Sequence, residues 1–128
     1  MTEKEKKFLS DISNSIELIR NFTKETSSFA DYQKDLKTKG AVERHLGIIW
    51  EAVNKFLKES PGNSMKSASQ IISLRNRLVH SYDNVDDAII WSIITRHLNP
   101  LMDEIKAKLD WAESKPKSVV GVLAPAPF

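Results

Sequence analysis

Scarcity of helix breakers constrains this chain more than any other feature. Four glycines and five prolines are present, and Pro116, Pro125 and Pro127 fall at the far C-terminal end. Up to Glu113 little stops a helix once it has begun. Apolar residues then recur at helical spacing. Leu9, Ile12, Ile16 and Ile19, flanked by Phe8 and Phe22, predict a first helix from about Glu3 to Lys24. Ser28 with Asp31 three residues on reads as the start of a short second helix anchored by Phe29 and Tyr32. Val42, Leu46, Ile49, Val53, Phe56 and Leu57 predict a third, from near Thr38 to the Ser60-Pro61-Gly62 stop. A fourth, carrying Ile71, Ile72, Leu74, Leu78 and Val79, is expected from near Ser64 to near Ser81, before the turn formers Asp83 and Asn84. A fifth begins at Asp86 or Asp87 and carries Ile90, Ile94, Leu98, Leu101, Ile105 and Leu109. Pro100 lies inside it and is expected to kink it or split it in two. No strand-type alternation competes. The expected fold is an all-α antiparallel bundle of four to five helices over residues 1–113. Residues 114–128 lose the helical period and are expected to form an extended or disordered tail, with Val122, Leu123 or Phe128 available for docking.

Composition narrows the function classes. Lys plus Arg is 19 and Asp plus Glu 17, a formal net charge of +2. That excludes a strongly basic coat for nucleic acid but leaves room for a local basic patch. The absence of cysteine excludes a disulfide scaffold, a thiolate zinc site and a cysteine nucleophile. No apolar run reaches the length of a membrane span, and Met1 to Lys7 leads into no signal-type segment, so a soluble cytoplasmic protein without membrane contact is expected. No cofactor is expected.

One segment concentrates chemistry: Ser73-Leu-Arg75-Asn76-Arg77-Leu-Val-His80-Ser-Tyr82-Asp83. Asn76 and His80 are four apart and share a helix face. Arg75 and His80 are five apart, roughly 140° around the helix. One helix alone does not press them together; they converge only if Arg75 reaches sideways or if a second copy of the helix faces the first. His80 titrates near neutrality and can act as general base or acid. Arg75 stays cationic and can hold a phosphate in two hydrogen bonds. This pair suits phosphodiester cleavage without a metal, with an RNA 2′-hydroxyl as nucleophile. The same residue types also cap carbonyls at helix C-termini, and periodicity alone leaves that structural role open.

Arg75-Asn76-x3-His80-x-Tyr82 resembles the R-x4-H-x-Y signature of HEPN domains of the HepT type. The likeness extends from about Phe8 to Leu109, through Phe29-Ala-Asp-Tyr, Ala41-Val-Glu-Arg, Leu46-Gly-Ile-Ile-Trp-Glu-Ala-Val, and Ile90-Trp91 with a proline before Leu101. The resemblance implies a helical homodimer that acts as a ribonuclease toxin beside a minimal nucleotidyltransferase antitoxin. It implies Arg75 and His80 as the catalytic pair in a cleft between two copies, with Asn76 orienting His80 or the phosphate. It implies Tyr82 as the hydroxyl that the partner modifies with AMP. Arg77 is expected to add an RNA phosphate contact, against the alternative of a solvated charge. The chain departs from the family pattern at Trp50, where a small glycine is usual, and at Lys66-Ser67-Ala68, where a tryptophan often precedes the motif. The alternative function is a non-catalytic module that presents substrate or nucleotide to a separate nucleotidyltransferase.

The other candidates carry less. His45 and His97 lack helical ligand spacing to each other or to His80, so surface or capping roles are expected and no metal. Trp50, Trp91 and Trp111 fall near apolar stripes and are expected to pack rather than stack on bases. Asp83 is expected to form its own turn, and Lys4, Lys6 and Lys7 a solvated face.

Overall fold

The computed structural model describes residues 1–79 and 86–114. Helix α1 spans Glu3–Thr23, α2 Phe29–Lys34, α3 Leu36–Glu59, α4 Lys66–Val79, α5 Asp87–Ser92 and α6 Leu98–Ser114. A single π-helical turn, Ile93–His97, joins α5 to α6. No helix among the described residues is long and apolar enough to cross a membrane.

Local chemistry sets the helix starts. Thr2 and Glu5 form a reciprocal capping box on α1, with Thr2 Oγ1 accepting from the Glu5 N–H at 3.0 Å and Glu5 Oε1 from the Thr2 N–H at 2.6 Å. Ser28 caps α2 through the Asp31 N–H, as its spacing predicts. Helix α3 begins before the expected Thr38, because Asp35 accepts the Thr38 N–H at 3.1 Å and serves as the cap. Asp86 caps α5 through the N–H groups of Ala88 and Ile89.

The long helices pack antiparallel. Lys4 of α1 pairs with Glu59 of α3 at 3.6 Å, and Ser15 meets His45 further along the same two helices, so α1 and α3 run in opposite directions. The Glu104 carboxylate accepts the Ser67 N–H at 3.0 Å, and Lys108 donates to Asn63, so α4 and α6 also oppose each other. Short connections between long helices enforce this arrangement. Leu9, Ile12, Ile16 and Ile19 meet Val42, Leu46, Ile49, Val53 and Phe56 in a fully buried seam. Ile71, Ile90, Ile93, Leu101 and Ile105 close the core from the other side. Phe22, expected to flank the first stripe, is exposed, whereas Phe8 is half-buried against the core. Phe56→Ala is expected to lower the unfolding free energy by about 3–5 kcal/mol through lost transfer energy and a residual cavity. Urea unfolding with an unchanged slope would show it.

Pro100 does break the last helical pattern, but the break lies ahead of it. Proline offers no N–H to the Arg96 carbonyl, and its ring crowds that carbonyl. The preceding turn is widened, and the Leu98 N–H reaches back five residues to the Ile93 carbonyl. The extra residue changes which side chain is buried. Ile93 is fully buried, and the expected Ile94 is only partly covered. The buried step from Ile93 to Leu98 is five residues long, a spacing that a regular α-helix would spread over two faces.

Candidate active site

Helix α4 presents the first part of the chemical segment. Ile71 and Leu78 are buried and Ile72 and Leu74 are partly covered against the core, so the helix is anchored by that face. Arg75 is half-buried, and Asn76 and Arg77 are exposed. Among the described residues, none of the three takes part in a salt bridge. His80, Tyr82 and Asp83, and the expected end of the fourth helix near Ser81, lie outside the described residues. So does the side chain of Trp111.

Both flanks of the segment 80–85 are fixed. On one side stands α4. On the other, Asp86 caps α5, and Asp87 pairs with Lys39 of α3 at 2.7 Å, with both side chains more than four-fifths covered. Lys39 also donates to the Gln33 carbonyl at 3.3 Å, so α2, α3 and α5 meet at one point. Tyr32 stacks on Trp91 beside this junction, with ring centroids 5.7 Å apart. Burial, with the Glu43 and Asp87 carboxylates nearby, pushes the Tyr32 phenol well above its usual range, so it stays neutral.

The side chain that meets Arg75 is Trp50. The guanidinium carbon lies 5.9 Å from the centre of the Trp50 ring, within the range of a cation–π contact. Trp50 is half-buried against the core, which makes it a rigid support for the guanidinium. The pair opens onto a groove of about 360 Å³, lined from α3 by Gly47, Trp50, Glu51, Asn54, Lys55 and Lys58 and from α4 by Arg75. Three cations face one carboxylate there. Glu51 is paired with Lys55 at 3.4 Å, both well exposed.

Periodicity placed Trp50 near the core, and that is where it packs, but its approach to Arg75 was not legible. Asn54, Lys55 and Lys58 carried no motif. Their signal is the stripe Gly47, Trp50, Asn54, Lys58 at helical spacing on α3, and it becomes informative only when α4 is known to lie alongside. His45 corrects its expectation of a surface or capping role. Its Nδ1 lies 3.2 Å from the hydroxyl of the buried Ser15, and its ring lies 5.7 Å from Phe22, within the α1–α3 packing. His97 ends the π-helical turn.

A family model described as ribonuclease HepT-like matches residues 12–107. A protein of Thermococcus cleftensis named "Probable ribonuclease HepT" is 34% identical over 105 residues, covering 79% of this chain and 92% of that protein. A protein of Methanocaldococcus jannaschii that carries an RNase name is 34% identical over 103 residues, covering 77% of this chain and 79% of its own. No solved structure matches significantly.

Proposed function

Because the chain belongs to the HepT-like ribonuclease family, we propose that it is a metal-independent endoribonuclease whose cleavage chemistry is carried by Arg75 and His80. The observation that carries this reading is the placement of Arg75. A guanidinium braced on Trp50 at the edge of a cationic groove, five residues before an imidazole, is suited to a phosphodiester. The 2′-hydroxyl oxygen attacks the adjacent phosphorus as His80 takes its proton. The bond from phosphorus to the 5′-oxygen breaks, and that oxygen is protonated in turn by an imidazolium. Arg75 balances the charge that accumulates on the phosphoryl oxygens. The products are a 2′,3′-cyclic phosphate and a free 5′-hydroxyl.

Five positions apart, Arg75 and His80 would fall on different sides of a regular helix, so the reading includes a homodimer in which two copies pool these groups. Asn76 orients His80 or the phosphate, and the exposed Arg77 adds a phosphate contact. The protein acts as a cytoplasmic toxin, and a minimal nucleotidyltransferase antitoxin silences it. The Tyr82 oxygen attacks the α-phosphorus of ATP, pyrophosphate leaves, and the phenolic proton goes to solvent. The added adenylate places an anion where the substrate phosphate belongs.

The test is cleavage of a defined RNA by purified protein with divalent metals chelated. Fragments ending in 2′,3′-cyclic phosphate and beginning with 5′-hydroxyl are expected. Fragments ending in 3′-hydroxyl would overturn the 2′-hydroxyl mechanism, and no fragments together with tight binding of the nucleotidyltransferase would overturn the ribonuclease reading in favour of a presenting module. A separate expectation concerns silencing. Incubation with the partner and ATP should add one adenylate by intact mass, and Tyr82→Phe should abolish the gain. A persistent gain in Tyr82→Phe would remove Tyr82 from its assigned role.

A further inference from the structure

We propose that the groove between α3 and α4, from Gly47 to Lys58, is the track on which a single-stranded RNA lies next to the cleavage site, with Lys55 and Lys58 gripping its phosphates. The inference rests on the ribonuclease reading and extends it to residues that the motif does not include.

The groove is continuous with Arg75, which forms part of its wall. From Gly47 to Lys58 the helix advances about 16 Å, enough for a strand of a few nucleotides. Its charge is of the right sign, since only Glu51 opposes Lys55, Lys58 and Arg75. The Glu51–Lys55 pair is solvated at both ends, with side chains 72% and 54% exposed, so Lys55 gives up little in exchanging that carboxylate for a phosphate. Lys58 is exposed and in no salt bridge with another described residue. Asn54 supplies a carboxamide that can both donate to and accept from a sugar or base edge.

Gly47, itself part of the lining, bears on the same point. It sits in the middle of a 24-residue helix, where glycine costs roughly 0.5–1 kcal/mol relative to alanine. Nothing crowds it, for a Cβ built there meets no atom within 4 Å. The packing of this chain gives no reason for a glycine, and what its absent side chain does is leave the groove open. A second protein surface is a poorer occupant. Interface centres are depleted of lysine and rich in exposed apolar groups, and this lining offers only the half-buried Trp50.

The glycine also supplies the experiment. Gly47→Glu and Gly47→Lys put side chains of similar bulk and opposite charge into the groove without disturbing the core. Binding is measured with a fluorescent 2′-O-methyl oligoribonucleotide, which lacks the nucleophile and is not consumed. Cleavage of the matching RNA is followed in parallel. Lys58→Glu and Gly47→Glu are expected to weaken binding and raise KM several-fold. The log–log salt slope should become shallower by about 0.7 for each phosphate that the protein no longer neutralises, the single-strand value. Gly47→Lys should tighten binding. Lys34→Glu, an equal charge change on α2 outside the groove, should have no more than a small effect. If Lys58→Glu and Lys34→Glu behave alike, or if Gly47→Glu changes the sedimentation of the protein rather than its RNA affinity, the track is overturned and the ribonuclease reading stands. A wild type that neither binds nor cleaves RNA overturns both.

Discussion

His80→Ala is expected to lower RNA cleavage by about 10²–10⁴-fold, the usual contribution of a positioned general acid or base. The melting temperature should change little, because the core that holds the bundle is the α1–α3 seam and its closure by α4 and α6. The two readouts together decide the role. Loss of cleavage with unchanged melting supports a proton-transfer group. A marked drop in melting temperature would instead identify His80 as a structural histidine, and the cleavage assignment would fall with it. The pH dependence gives a further check. One imidazole acting as base and one as acid produce a bell-shaped rate profile around the ordinary histidine range, and a flat profile would count against the pair.

Arg75→Ala is expected to reduce cleavage by about 10²–10³-fold, comparable to removing one donor from a preorganised transition-state site. Arg75→Lys should recover only part of this, since lysine keeps the charge but loses the planar two-point fork. Under the ribonuclease reading Trp50 would act through Arg75 and not on the RNA itself, as a positioning residue. A cation–π contact of this kind is worth roughly 0.5–1 kcal/mol, so Trp50→Leu should cost only a few-fold in rate. Trp50→Phe should restore most of that loss. In an Arg75→Ala background the same Trp50 change should cost nothing more, because coupled residues are not additive. If Trp50→Leu is equally harmful with or without Arg75, the approach at 5.9 Å has no role in cleavage.

The bundle was legible because two signals agreed. Leu9, Ile12, Ile16 and Ile19 repeat at helical spacing, and Ser28 with Asp31 marks a helix start by chemistry that needs no tertiary partner. Asp35 was missed as a cap although it uses the same chemistry, because no apolar stripe begins at once behind it. Arg75 was legible from its place in the motif, yet its neighbour was not. Trp50 lies 25 positions earlier, and only the packing of α3 against α4 brings the two together. The same is true of Lys58, since a lone lysine on an exposed face looks identical whether it borders a groove or bulk water. His45 was misjudged for a related reason. Its hydrogen bond to Ser15 spans 30 positions and belongs to no local pattern.

The wide turn at Ile93–His97 has a bearing on which length changes the chain can accept. Most insertions and deletions settle in connections, where backbone can be re-routed at modest cost. Here one surplus residue is stored inside a helix and keeps two halves in phase. Deleting one of the residues 94–97 would convert the turn to ordinary geometry and shorten the buried step from Ile93 to Leu98 to four, leaving Leu98, Leu101 and Ile105 on the face that is now covered. A one-residue gap in an alignment therefore belongs inside this turn, and one placed elsewhere along the helix would join residues from different faces.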